Sequence, residues 1–186
     1  ISKVFNRWNL ICNSVNMISQ DFREKVERGL GCVVILAGSG NDEPHIDKIA
    51  KSLQKYGIPF EVRVASAHKQ SEKLSEIIKE YDAIKGHLLY IAVAEGTDAL
   101  SGTSSYVSRR LTISCPPDNP NMSCLTNPSG SSNLYAGRPE NAARAVAQIF
   151  SEVNLQYTGA LEADINTKRN DLNVQDEELK SKYAKE

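Results

Sequence analysis

Aromatic residues are scarce in this chain, at 6% with a single Trp, and cysteine and histidine are scarcer still, with four and three. The cysteines, at positions 12, 32, 115 and 124, show no zinc-ribbon or CxxC spacing, and the histidines, at 45, 68 and 87, form no HxxxH pattern. Neither a metal site nor a redox dithiol is therefore expected. Excess charge is missing too: 22 basic residues against 23 acidic ones leave a net charge of -1. That excludes a broad electrostatic drive toward nucleic acid or an anionic membrane and confines anion binding to a local site. No apolar run approaches the length of a membrane span, and the first residues lack a basic-then-apolar signal pattern. There is no P-loop lysine, no third glycine of a dinucleotide fingerprint and no GxSxG elbow. These absences describe a cytoplasmic protein with reduced thiols that acts on small molecules or protein partners. The chain opens on Ile1 instead of Met, as a fragment or trimmed chain would.

What is present suffices for one domain, since 186 residues at 40% hydrophobic content can bury a sizeable core. The chain is organised around residues 33–68. An apolar run, Val33 to Ala37, breaks at Gly38-Ser39-Gly40-Asn41-Asp42, a small and polar turn that exposes its amides. Pro44 then opens a helix whose Ile46, Ile49, Ala50, Leu53 and Tyr56 recur at helical spacing, Gly57 stops it, and Phe60 to Val64 reads as a second strand. In a right-handed parallel unit both strand ends emerge along one edge, so the loops at Gly38 and at Ser66-Ala67-His68-Lys69 face one crevice.

Residues 1–30 read as a helical N-terminal arm that covers a sheet edge or a neighbouring subunit, and residues 31–154 as the α/β domain. A helix from Ser71, its N-cap, to Tyr81 leads to Leu88 to Ala94, whose unbroken apolar character marks a strand buried on both faces. After the loop Glu95 to Asp98, a short helix over 99–108 precedes a fourth strand, Leu111 to Ser114. Residues 118–133, rich in Pro, Asn, Ser and Gly, form a long loop, functional or disordered. A weak fifth strand lies within 132–137, and Pro139 opens a helix that buries Ala142, Ala143, Val146, Ala147, Ile149 and Phe150. Residues 155–186 form a polar helical tail that docks on another subunit or frays. The architecture expected is a three-layer α/β/α domain on a parallel sheet with helical extensions at both ends.

The Gly38 to Asp42 turn, followed by a helix N-terminus, suits a phosphate, although as a plain turn capped by Asp42 or Glu43 it needs no ligand. His68 is the most informative histidine. It lies at the carboxyl end of a strand beside that turn, and imidazole is suited to proton transfer near neutrality. His45 and His87 read as packed or solvated rings. Pro128-Ser129-Gly130 is either a turn or a cover for a ligand. The residues by themselves lead to a doubly wound domain that binds a small anion.

In order, Leu36-Ala37-Gly38-Ser39 with Asp42 and His45, Tyr56 to Val64, Ser66-Ala67-His68-Lys69, Ala99-Leu100-Ser101-Gly102, Ile113-Ser114-Cys115-Pro116-Pro117, Pro128-Ser129-Gly130, Asn141-Ala142-Ala143 and Ala147 to Phe150 resemble the phosphoribosylaminoimidazole carboxylase family. Ser-Ala-His-Lys, Cys-Pro-Pro and Pro-Ser-Gly are similar to the class of animals and a few bacteria that uses carbon dioxide directly. The resemblance implies a flavodoxin-like subunit in a homo-octamer. It implies carboxylation of aminoimidazole ribonucleotide by carbon dioxide to the 4-carboxylate, in purine synthesis, with no metal, biotin or ATP. It places Gly38, Ser39 and Asp42 at the ribose and phosphate and His68 as the group that moves the C4 proton. Ser66 and Lys69 line that site, and Pro128, Ser129 and Gly130 cover it.

Three stretches depart from the family pattern. Glu95-Gly96-Thr97-Asp98 stands in place of Gly-Arg-Ser-Asn, the segment between Cys115-Pro116-Pro117 and Pro128 is shorter, and Glu43 adds an acid to the first loop. An acidic loop at the ligand predicts weaker binding of a phosphate or a nascent carboxylate. A diverged enzyme acting on another ligand, and a non-catalytic nucleotide-binding or assembly subunit, are the alternatives those departures suggest.

Overall fold

The computed structural model describes residues 18–184. The predicted N-terminal arm lies outside the described residues up to position 17; its remainder forms helix α1 (Gln20–Glu27), capped where the Phe22 amide donates to Ser19 Oγ at 3.2 Å. There follow β1 (Cys32–Ala37), α2 (Glu43–Lys55), β2 (Phe60–Val64), α3 (Ser71–Asp82), β3 (Leu88–Val93), α4 (Leu100–Val107), β4 (Thr112–Ser114), β5 (Leu134–Tyr135), α5 (Pro139–Phe150) and α6 (Leu155–Tyr183). Single 3-10 turns occupy Gly40–Asp42 and Met122–Leu125.

All five strands are parallel, in the order β2-β1-β3-β4-β5. Every residue of β1 and β3 is buried, as strands covered on both faces require. Alternation divides the core. Val33, Ile35 and Ala37 pack with Ile49 and Leu53 of α2, Val146 of α5 and Tyr157 of α6, whereas Cys32, Val34 and Leu36 pack with Phe22 of α1, Ile77 of α3 and Leu100 of α4. The sheet order reverses between β1 and β3, so the connections that leave their carboxyl ends run to opposite sides and a crevice opens beyond Gly38 and Ala94. Close backbone approach shapes the opposite edge. Gly86 has φ +134°, and a Cβ there would stand 1.9 Å from the Val26 carbonyl oxygen.

Three local expectations are corrected. Gln70 is the N-cap of α3 and Ser71 its first helical residue, because the Gln70 carbonyl accepts the first helical bond, from the Leu74 amide at 3.0 Å. Ile149 is exposed on α5, outside the buried stripe of that helix. The tail docks first on its own subunit. Asp164, 3% exposed, accepts from Lys55 Nζ, from Arg144 Nη1 at 3.1 Å, from Lys168 Nζ at 2.9 Å and from the Tyr56 hydroxyl at 3.1 Å. With Tyr157 and Leu161 also buried, the first turns of α6 belong to the domain. Beyond them the helix continues exposed.

Candidate functional site

The crevice is built from the turns that leave β1, β2 and β3. After β1 the backbone turns at Gly38, whose amide donates to the Val93 carbonyl at 2.8 Å and ties the β1 and β3 ends together. Ser39 and Asp42 then cap one another: the Asn41 amide donates to Ser39 Oγ at 3.1 Å and the Ser39 amide to Asp42 Oδ2 at 3.0 Å. This corrects the expectation of a turn with open amides, since two of them are taken by the turn's own side chains. Asp42 is buried. Burial raises its carboxyl above the usual carboxylate range, the Ser39 amide opposes that, and the charge of nearby Glu95 adds to it.

After β2 the Ala65 amide still donates to the Ala37 carbonyl at 3.0 Å, and the chain turns over. Ser66 holds that turn, accepting the Lys69 amide on its Oγ at 3.3 Å. His68 and Lys69 ride on top of it, both exposed. Gly38, Ser39, Asp42, Ser66, His68 and Lys69 thus line one cavity of about 150 Å³, closed by Ala94, Glu95, Thr97 and Leu100. Six candidate residues from two loops meet there. Ser129 does not join them. It lines an adjoining hollow of about 430 Å³ with Thr103, Tyr106 and Asn127, and the two hollows share Ala99 as a wall. Gly130, at φ +94°, lies against the Tyr106 ring, so within one chain the Pro128 to Gly130 segment flanks the cavity and does not cover it.

Sequence reasoning missed the frame behind the third loop. Asn121 Nδ2 donates to the Gly96 carbonyl at 2.9 Å, Ser123 Oγ to the same carbonyl at 3.2 Å, and the Gly96 amide to Asp118 Oδ2 at 2.8 Å. Asn133 and Asn127 close the other end of the long segment on the Cys124 carbonyl. Residues 118–133 are therefore a bonded support for Glu95 to Asp98.

That frame also decides which acid faces the cavity. Asp98 is 5% exposed and turned onto α4, where its carboxylate accepts the amides of Leu100 and Ser101 at 2.8 and 3.1 Å, Ser101 Oγ at 2.6 Å and Cys124 Sγ at 2.9 Å. Its charge caps a helix N-terminus. Glu95 alone lines the cavity as a carboxylate from this loop. Gly96 has φ +69°, where a side chain is strained, so restoring Arg there costs on the order of 1 kcal/mol in backbone strain. The single change Glu95→Gln is the cleaner reversal. It is expected to tighten binding of an anionic nucleotide a few-fold by titration calorimetry, because it removes a like charge beside Asp42; unchanged affinity would show that Glu95 does not face the ligand.

The remaining histidines do other work. His45 Nε2 sits 3.0 Å from the Cys115 carbonyl oxygen and 3.6 Å from its Sγ, and burial depresses its pKa below the usual imidazole value. Burial also pushes the Cys115 thiol up to about 12, so this pair supplies no thiolate near neutral pH. His87 packs against Phe150 at the amino end of β3, away from the crevice. Among the described residues no three His, Cys, Asp or Glu side chains cluster to hold a metal, and no helix is long and apolar enough to cross a membrane.

Comparison with known proteins agrees with this geometry. The AIR carboxylase family model matches residues 32–171. A phosphoribosylaminoimidazole carboxylase of Treponema denticola is 34% identical over 154 residues, covering 80% of this chain and 97% of that one. The enzyme of the same name from Archaeoglobus fulgidus is 37% identical over 163 residues, covering 82% and 88%. The crystal structure of Treponema denticola PurE superposes with a TM-score of 0.76 over 81% of this chain and 99% of that one. With the match spanning the whole parallel sheet and both crevice loops, this chain belongs to the AIR carboxylase family.

Proposed function

We propose that this chain carboxylates aminoimidazole ribonucleotide with carbon dioxide, reversibly, in purine biosynthesis, with His68 as general acid and base. The observation that carries the reading is the placement of an exposed imidazole at the rim of a cavity walled by Ser39, Asp42 and Ser66, where the sheet order reverses. The aminoimidazole ring is electron-rich, and its C4 forms the new bond to the carbon of carbon dioxide while one C=O pair of electrons becomes the carboxylate. C4 is then tetrahedral. His68 takes its proton, the C–H electron pair returns to the ring, and the product is the 4-carboxylate. The reverse path returns that proton to C4 before carbon dioxide leaves.

Asp42, an acceptor in a buried position, suits the ribose hydroxyls, and Lys69 on the open rim suits the phosphate. The cavity of a single chain, about 150 Å³, is below the roughly 300 to 1,000 Å³ of complete ligand pockets. A site of that size fits completion of its walls by neighbouring subunits, as in the homo-octamer that the resemblance implies. The enzyme works in the cytoplasm. Removing residues 170–186 is expected to lower the assembly's mass by light scattering while leaving the subunit folded, because among the described residues of the tail the last buried side chain is Asp164; an unchanged mass would exclude the distal tail from assembly.

Glu95 favours a second reading, a diverged member that takes a less anionic ligand. Incubating the protein with aminoimidazole ribonucleotide and dissolved carbon dioxide, without ATP, separates the two. Formation of the 4-carboxylate by mass spectrometry supports the carboxylase, and a folded protein that forms none overturns it.

A further inference from the structure

From Asn166 onward α6 runs roughly 27 Å with every described residue exposed. Helices of this kind owe most of their stability to an apolar face packed on something. One such face is present: Ile165, Leu172 and Leu179 recur at seven-residue spacing, with Leu172 64% and Leu179 54% exposed. Seven residues are two helical turns, so the three lie along one stripe. Nothing within the described chain covers the outer two.

We propose that this stripe pairs with the same stripe of a second copy of the chain, antiparallel, about a twofold axis at Leu172. Leu172 then meets Leu172, and Ile165 meets Leu179 twice. The flanking charges decide the direction. Arg169 and Asp176 lie four residues after Ile165 and Leu172, on one flank of the stripe, and Lys168 and Gln175 lie three residues after them, on the other. A twofold axis across an antiparallel pair brings like flank to like flank in reversed order, so Arg169 of each copy stands beside Asp176 of the other, and Lys168 beside Gln175. A parallel pair brings unlike flanks together at equal height and sets Lys168 against Arg169 at both sides. Opposite charges in one orientation and like charges in the other select the antiparallel pair. Lys168 keeps its own Asp164, 2.9 Å away, and Asp176 its own Lys180, at 2.6 Å, so the Arg169 of the other copy adds a second cation to a carboxylate that already has one, and pairing does not compete with the docking of α6.

Cysteine cross-linking in the full chain tests this, with oxidised glutathione as oxidant and the parental chain as the background for its native cysteines. The Leu172→Cys variant is expected to form a disulfide dimer with itself, and an Ile165→Cys and Leu179→Cys mixture to form mixed dimers several-fold above either variant alone. Self-cross-linking of Ile165→Cys would overturn the antiparallel register, and no dimer above the parental background would overturn the pairing. In the Leu172→Cys background, Asp176→Arg is expected to lower the dimer yield several-fold and the added Arg169→Asp to restore it. A yield insensitive to both contradicts the charge matching. Leu172 and Leu179 are solvent-facing, so their cysteines leave the subunit fold intact, and a thermal melt checks the fold of the variant at half-buried Ile165.

Discussion

Replacing His68 with Asn is expected to lower kcat for the interconversion of aminoimidazole ribonucleotide and its 4-carboxylate by at least about 100-fold, the lower end of what a positioned acid or base contributes. Asn keeps a polar side chain of similar reach but cannot carry the C4 proton. The nucleotide contacts proposed for Ser39, Asp42, Ser66 and Lys69 stay in place, so binding should change by no more than a few-fold. His68 is exposed and its turn is held by Ser66, so the fold should be indifferent to the change. A variant that loses nucleotide affinity in proportion to turnover would assign His68 to binding instead of proton transfer.

Replacing Asp164 with Ala is expected to destabilise the subunit by about 2 kcal/mol, which for a domain of this size is roughly 4 to 8 °C in Tm. Breaking a buried ion pair typically costs more, about 3 to 5 kcal/mol. Here Lys55 and Lys168 are more than half exposed and recover water once the carboxylate is gone, which discounts the loss. Arg144 and the Tyr56 hydroxyl, less accessible, carry the remainder. The pH dependence has a definite sign. The Lys55 hydrogen bond, followed by that of Lys168, holds the Asp164 carboxyl well below the usual carboxylate range. Its stabilisation is fully present above the unfolded-state pKa of about 3.9 and is lost as pH falls toward the depressed folded value. Lys55 is raised by the same contact, so its share is present below the ordinary lysine pKa and is lost only as pH rises through the higher folded one. Parental and Ala variants should therefore differ in Tm by a constant amount from about pH 5 to pH 9 and converge in acid. Thermal melts from about pH 9 down to about pH 2 measure it, and a difference that grows in acid would contradict the assignment.

How much could be read from the residues depended on how local the determining contacts are. β1 and β3 were legible because a strand covered on both faces has to be apolar throughout, and both are buried along their whole length. The meeting of Ser39 and Asp42 with His68 followed from the handedness of a single strand, helix, strand unit. Asp164 was illegible, because its partners lie 109, 20 and 4 residues away, and in a polar helix an acid looks solvated. Asp98 was counted with Glu95 in an acidic loop at the ligand, yet a signal for its other role was available: Asp three residues before Ser101, ahead of Leu100, is the spacing of a helix cap. The support given to Glu95 through Gly96 by Asp118, Asn121 and Ser123 joins residues 22 to 27 apart across a segment without periodicity, and only the folded chain displays it.

The most direct measurement is the absorbance change when purified protein meets 4-carboxyaminoimidazole ribonucleotide, following decarboxylation, with the His68→Asn variant run in parallel. Turnover by the parental chain that the variant loses by at least about 100-fold is the result expected of a carboxylase that uses His68. A parental chain that is folded and binds the nucleotide but does not turn it over, or a variant as active as its parent, would contradict it.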